Sequence, residues 1–300
     1  MSRLLFFTLI VLSLIWGCSF FFIKELLPDF GPWTIAFLRS SFGLVTISVI
    51  MLIMKIPFGF RSIQWVPMAV MALVNTAIPW AIIGFSETRL TSSMASILNA
   101  TTPLWTIIVG AVAFKTATHQ RQWIGMGVAF IGLIILLDIN PHSFISVDGI
   151  GFLCMIAATL CYAVGSQLSK RLKGVNMYQT TFGTLLVSML GSGAAAFIVE
   201  PVNLTRLGSL HNLGMVMGLG IFGSGVAYIL FYYLVQKGSP ELATMVTYLV
   251  PATAILWGST LLNEPIHWSL LAGLVFILGG VFLTSRKRPQ HSVRGETESV

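Results

Sequence analysis

Charge is what this 300-residue chain has least of: 9% of its residues are Asp, Glu, Lys or Arg, while 56% are hydrophobic. An ordinary soluble domain carries roughly 25% charged residues, and a chain this poor in charge could not cover its surface in water. A soluble globular protein is thereby excluded, and the bilayer becomes the solvent for most of the chain. Cysteine is scarce as well. Cys18, Cys154 and Cys161 fall inside apolar runs, and the C-x6-C spacing of the last two matches no metal site, so all three read as small buried hydrophobes. Catalytic signatures are missing: there is no Gly-x-Ser-x-Gly, no Walker A loop and no His-Glu-x-x-His. His119 and His267 fall in loops of opposite sidedness and cannot share a metal. No enzyme, metal or cofactor is expected.

The net charge of +7 does not point to nucleic acid. Nearly all the basic residues lie in short gaps between apolar runs, where they orient a membrane protein. Those runs fall at about 4–23, 33–54, 64–85, 92–114, 121–138, 148–167, 177–199, 212–234, 241–262 and 268–285. Most match the length that about 30 Å of hydrocarbon requires at 1.5 Å per residue. Unbroken apolar runs also exclude a β-barrel, which needs alternating segments. The first run continues through Phe20-Phe21-Phe22-Ile23 with no small-residue cleavage site before Lys24, so a retained helix is expected rather than a signal peptide. With the N-terminus inside, the inner gaps hold Arg3, Lys55, Arg61, Lys115, Arg121, Lys170, Arg171, Lys173, Lys237, Arg286, Lys287, Arg288 and Arg294. The outer gaps hold only Lys24, Arg89 and Arg206. The asymmetry predicts a multi-pass protein of the cytoplasmic membrane with both termini in the cytoplasm. The polar tail 286–300 is expected to be disordered, its basic cluster marking the edge of the last helix.

The sequence also repeats itself. A shift of 148 residues superimposes Ala95 on Ala243, Pro103 on Pro251, Gly110 on Gly258, His119 on His267, Gly125 on Gly273 and Gly132 on Gly280. The same shift brings Trp80 onto Tyr228. In the second span, Ser40-Ser41-Phe42-Gly43 parallels Thr180-Thr181-Phe182-Gly183 at a shift of 140. Each repeat holds five spans, an odd number, so the second half enters the membrane from the other side. The expected fold is an all-α polytopic membrane protein of ten transmembrane helices in two inverted-topology repeats, 1–142 and 143–285. Secondary transporters use that arrangement to expose a midplane site to either side in turn.

In these features the chain resembles the EamA-type transporters of the drug/metabolite transporter superfamily over residues 1–285. The resemblance is carried by Trp16-Gly17 with Phe20, by Phe37-Leu38-Arg39, and by the matching ends of the halves. These run from Ala95 through Pro103 to Gly125 and Gly132, and from Ala243 through Pro251 and Leu262-Asn263-Glu264-Pro265 to Gly273. Where the family commonly has a Gly-Glu pair, the second half has Asn263-Glu264 and the first has Lys115-Thr116. The resemblance implies a ten-helix carrier, often an exporter of amino acids, amines or other small metabolites.

Candidate site residues follow from spacing. Ser92, Ser96, Asn99 and Pro103 share one face of the fourth span, and Pro240, Thr244, Thr247 and Pro251 the matching face of the ninth. Prolines there free backbone carbonyls where a cavity can satisfy them, although small residues also permit close helix packing. Ser13 and Trp16 with Thr159, Tyr162 and Ser166 form a second stripe, and Asn75 and Trp80 with Tyr228 and Tyr232 a third. Aromatic walls with a few hydroxyls and amides suit a small organic solute; ordinary aromatic packing is the alternative. Arg39 is the one basic residue well inside a span, in either a structural or an anion-binding role. Glu87, Glu241 and Glu264 fall at helix ends, where solvated carboxylates are common, so no proton-coupling group stands out; Glu87 is the least implausible. The glycines of the fifth and tenth spans are expected to pack against helices of their own half, a homodimer interface being the alternative. The reading is a secondary exporter of a small organic solute, in contact with membrane lipids and not with nucleic acid. A passive channel and an intramembrane lipid-modifying enzyme are the rivals.

Overall fold

In hydrocarbon every backbone N–H must find its acceptor within its own segment, so apolar runs of this length form helices. The computed structural model describes residues 3–115, 118–136, 147–169, 172, 174–234, 237 and 245–285. Thr244 and Pro240, Glu241, the side chain of Tyr232 and the 286–300 tail lie outside that description.

The helices are α1 (Arg3–Leu26), α2 (Pro32–Ile53), α3 (Trp65–Glu87), α4 (Ser92–Phe114), α5 (Gln120–Leu136), α6 (Gly149–Ser169) and α7 (Met177–Val199). Next comes α8, in three pieces (Leu210–Met217, Gly218–Val226 and Ala227–Tyr233), followed by α9 (Val246–Leu261) and α10 (Trp268–Ser285). Among the described residues, seven of these are long and apolar enough to cross a membrane: α1 to α4 and α6 to α8. The other three, α5, α9 and α10, are apolar but shorter. Each of the three begins or ends at or next to the edge of the described residues. The protein is an all-helical multi-pass membrane protein.

The described connections reverse the chain from helix to helix, and contacts of Arg89 with Asp148 and of Ser92 with Glu264 put the start of α6 and the end of α9 at the face where α3 ends and α4 starts. The chain thus has an N-terminal face, where α1 begins, and an opposite face, where α1 ends. The sharpest turns are capped locally: Asn176 and Gln179 form a reciprocal capping box that starts α7, and the Thr91 side chain accepts from Met94 N to start α4.

The main packing joins the first half to the second. α1 packs on α9 as α6 packs on α4; α2 packs on α8 as α7 packs on α3; α3 packs on α6 as α8 packs on α1. Three further contacts, α5 on α10, α2 on α7 and, more lightly, α4 on α9, pair equivalent helices. At α5–α10 a Cβ added to Gly132 would strike the Gly273 carbonyl, and one added to Gly280 would strike the Gly125 carbonyl. Gly132 and Gly280 are 148 residues apart, as are Gly125 and Gly273, so the contact is reciprocal. This corrects the expected packing of these glycines within their own half: lacking side chains, they let the last helix of one half touch the last helix of the other backbone to backbone. At α2–α7, Ser40 Oγ lies 2.9 Å from Ser188 Oγ, again 148 apart. The polar meeting point of these helices therefore keeps the 148-residue spacing and not the shift of 140 drawn from sequence.

Candidate functional site

Two helices abandon α geometry at corresponding places. α3 forms a π-helical turn at Leu73–Ala77 and α8 at Gly218–Val226. The 148-residue shift maps the first inside the second. A π turn widens the helix, redirects its side chains and leaves carbonyls free for other donors, and such turns cluster at functional sites. In α8 the freed Gly223 carbonyl accepts from Trp16 Nε1 at 3.2 Å. In α3 the turn carries Asn75, whose amide packs so tightly on Gly165 of α6 that any side chain there would overlap it.

Between the halves is a cavity of about 410 Å³. Met71 and Asn75 of α3 line it on one side, and Thr180, Thr181 and Thr184 of α7 and Tyr228 of α8 on the other. Ser169, Val175 and Met177, at the connection from α6 to α7, line it as well, so the cavity reaches the N-terminal face. Above it, deeper in the bundle, is an aromatic cluster around Arg39. The guanidinium carbon lies 4.0 Å from the centroid of the Trp80 ring, and Arg39 Nε donates to Ser224 Oγ at 2.9 Å. Tyr162 and Tyr228 both lie within electrostatic reach of Arg39. Tyr228 belongs to cavity and cluster alike.

The opposite face is built differently. Every described Asp and Glu lies there: Glu25, Asp29, Glu87, Asp148, Glu200 and Glu264. Most of them tie one half to the other. Glu200, just past α7, accepts from Trp33 N (2.8 Å), Thr34 N (2.9 Å) and Thr34 Oγ1 (2.7 Å) at the start of α2. Glu264, just past α9, accepts from Ser92 N (2.6 Å), Ser93 N (3.0 Å) and Ser93 Oγ (2.5 Å) at the start of α4. A carboxylate at a helix N-terminus satisfies orphan N–H groups and complements the helix dipole. Arg206 pairs with Asp29 at 3.4 Å, His211 with Glu25 at 3.1 Å and Arg89 with Asp148 at 3.1 Å. Asp148 also caps α6, accepting from Gly151 N at 2.8 Å. That backbone bond, with Arg89 beside it, holds the Asp148 carboxyl below the usual aspartate range.

With this geometry in view, comparison with known proteins is decisive. The profile of the EamA-like transporter family matches the chain twice, over residues 3–138 and 149–286. The chain belongs to the EamA-like transporter family. It is 25% identical to an uncharacterized transporter of Archaeoglobus fulgidus, covering 91% of this chain and 95% of that one. It is 27% identical to the uncharacterized inner membrane transporter YedA of Escherichia coli (strain K12), over 91% and 88%. It is 23% identical to Protein PecM of Dickeya dadantii, over 90% and 88%. One solved crystal structure superposes with a TM-score of 0.66 over 95% of this chain and 97% of its own, at 15% identity, a likeness of fold.

The structure brings together Arg39, Asn75, Trp80, Tyr162 and Tyr228. Trp16 lies next to them, but its N–H is used to hold the π turn and its ring sits 5.7 Å from Phe231. The hydroxyls of Ser96 and Ser166 donate within their own helices, to Ser93 O and Ala163 O at 2.7 and 2.8 Å. Thr247 sits in the first turn of α9 and is exposed. Pro103 does not interrupt a continuous helix. α4 breaks at Ala100–Thr101, and Pro103 stands in the first turn of the second piece, where its missing N–H costs nothing. Pro251 lies inside α9 as expected. Asn99 ends the first piece of α4 with a buried Oδ1 that has no partner. Glu87 is not solvated: it is fully buried, and neither carboxyl oxygen has a partner. Glu264 is bonded as above.

Sequence reasoning missed Ser224 and Glu200. Ser224 ends the run Gly218-Leu-Gly-Ile-Phe-Gly-Ser, too rich in glycine for a regular helix. Glu200-Pro201 and Glu264-Pro265 share a dipeptide that was the available signal. Proline holds the residue before it extended, and Glu200, at φ −125° and ψ 148°, ends its helix there and turns its carboxylate onto the neighbouring one.

Proposed function

We propose that this transporter is a secondary carrier that moves a small organic solute by alternating access, with the arrangement described here open toward the N-terminal face. One observation carries the reading: a polar-lined cavity between the halves reaches one face, while the other face is bridged from half to half by carboxylate caps and ion pairs. Exchanging those two conditions is what a carrier does in each cycle. The swapped helix pairs and the reciprocal glycine contact support ten spans in two inverted repeats, because inverted halves can trade conformations. The excess of Lys and Arg in the N-terminal-face loops supports a cytoplasmic location for that face. A cavity loaded from the cytoplasm makes the protein an exporter.

The experiment is counterflow in proteoliposomes holding purified protein, with amino acids, amines, nucleosides, sugars and sugar phosphates tested in turn. A carrier gives saturable, trans-stimulated uptake of one chemical class. Flux that neither saturates nor responds to solute on the far side would mean a channel and end the alternating-access reading.

A further inference from the structure

Arg39 is a charge without a countercharge. It lies eight residues into α2 with Trp80 of α3, Tyr162 of α6 and Ser224 and Tyr228 of α8 around it, and it keeps some accessible surface; Tyr228 also lines the cavity. None of the ion pairs among the described residues includes it. Of the carboxylates, Glu87 acts on it through space without coming within bonding distance. Trp80 covers one face of the guanidinium, and Ser224 occupies Nε. The two Nη groups, four N–H donors in a planar fork, have no acceptor among the described residues. A purely structural bridge between α2 and α8 accounts for Nε and leaves the fork unexplained, and an unmatched charge inside a membrane protein is costly.

We propose that the Arg39 fork recognises an anionic group, a carboxylate or a phosphate, on the transported solute. This rests on the carrier reading above. The fork matches two oxygens of either group, and the neutral phenols of Tyr162 and Tyr228 can donate to the same anion. Trp80, Tyr162 and Tyr228 then wall the rest of the solute. Because Ser224 belongs to the π turn of α8 and Arg39 to the other half, an anion held by the fork touches the contact that joins the halves, so binding is felt by both.

The test uses the full-length protein in lipid nanodiscs and isothermal titration with matched acid and amide pairs. These are propionate and propionamide, phenylacetate and phenylacetamide, and indole-3-acetate and indole-3-acetamide, with phenyl phosphate as the phosphate arm. At least one acid is expected to bind tenfold or more tighter than its amide. The ranking of phenylacetate against phenyl phosphate separates the two anion types. Arg39→Gln is expected to bring the ratio to about one and Arg39→Lys to keep part of it. Acids and amides binding alike, no acid preferred in any pair, or a preference that survives in Arg39→Gln would each overturn the proposal; the first two need no variant to fold. Counterflow separates this inference from its foundation. Saturable exchange of amides and acids without preference leaves the carrier and removes the anion site. Preferential acid binding with no exchange of any bound acid leaves the site and removes the carrier.

Discussion

Replacing Glu200 by Gln tests the opposite-face latch. Glutamine keeps one acceptor oxygen, so of the three bonds to Trp33 N, Thr34 N and Thr34 Oγ1 at least one is lost, an NH2 group now faces N–H donors, and the negative charge leaves the N-terminus of α2. For a part-buried, charge-assisted cap the loss is about 1–2 kcal/mol. That is a factor of about 5–30 in the balance between latched and released arrangements. The reporter is Ser92→Cys in a background where Cys18, Cys154 and Cys161 are replaced by serine. Ser92 is fully buried at the opposite face and its hydroxyl has no partner, so sulfur enters without breaking a bond. It also lies at the other latch, next to Glu264 and not Glu200. A membrane-impermeant maleimide applied to the opposite face is expected to label this cysteine about 5–30 times faster when Glu200 is Gln, since both latches belong to one closing movement. Labelling within twofold of the unmodified latch would refute that link, even if transport fell.

Three further outcomes are expected. Asn99→Ala removes a buried, unpartnered acceptor at the break in α4 and should impair counterflow while expression and monodispersity in detergent stay normal; unchanged kinetics would take Asn99 out of the site. Gly280→Leu forces a side chain into the Gly125 carbonyl and Ala129, an overpacking cost of about 1–3 kcal/mol, read as a lower midpoint in thermal size-exclusion analysis, while Gly279→Leu, whose added Cβ meets open space, should be tolerated. Asp148 has its folded pKa below its unfolded one, because of the Gly151 amide and Arg89. Its contribution is therefore complete above the ordinary aspartate value and is lost as pH falls through the lower folded value. Amide exchange at the start of α6, corrected for intrinsic rate, should accelerate on acidification in that window, and Asp148→Asn should remove the transition.

Five of the residues that the fold brings together around Arg39 and the cavity are legible in one dimension. Arg39, Asn75, Trp80, Tyr162 and Tyr228 stood out because polar and aromatic residues in apolar spans are few, and the repeat doubled the signal by setting Trp80 over Tyr228. The same periodicity points to Ser96 and Thr247, and it gives a residue's face but neither its depth nor what its hydroxyl bonds. Ser96 is satisfied by its own helix, and Thr247 stands at a helix start.

Composition, apolar run length and loop charge determined by themselves that this is a multi-pass helical membrane protein. Those properties come from transferring each segment into lipid, a free energy summed locally along the chain. Only the tertiary structure decided that Arg39 reaches Ser224, that Glu200 and Glu264 cap helices of the other half, that Glu87 is buried without a partner and that Gly132 meets Gly273. These contacts join residues up to 185 positions apart, and they depend on how the halves pack and where two helices widen into π turns, which no local sum contains.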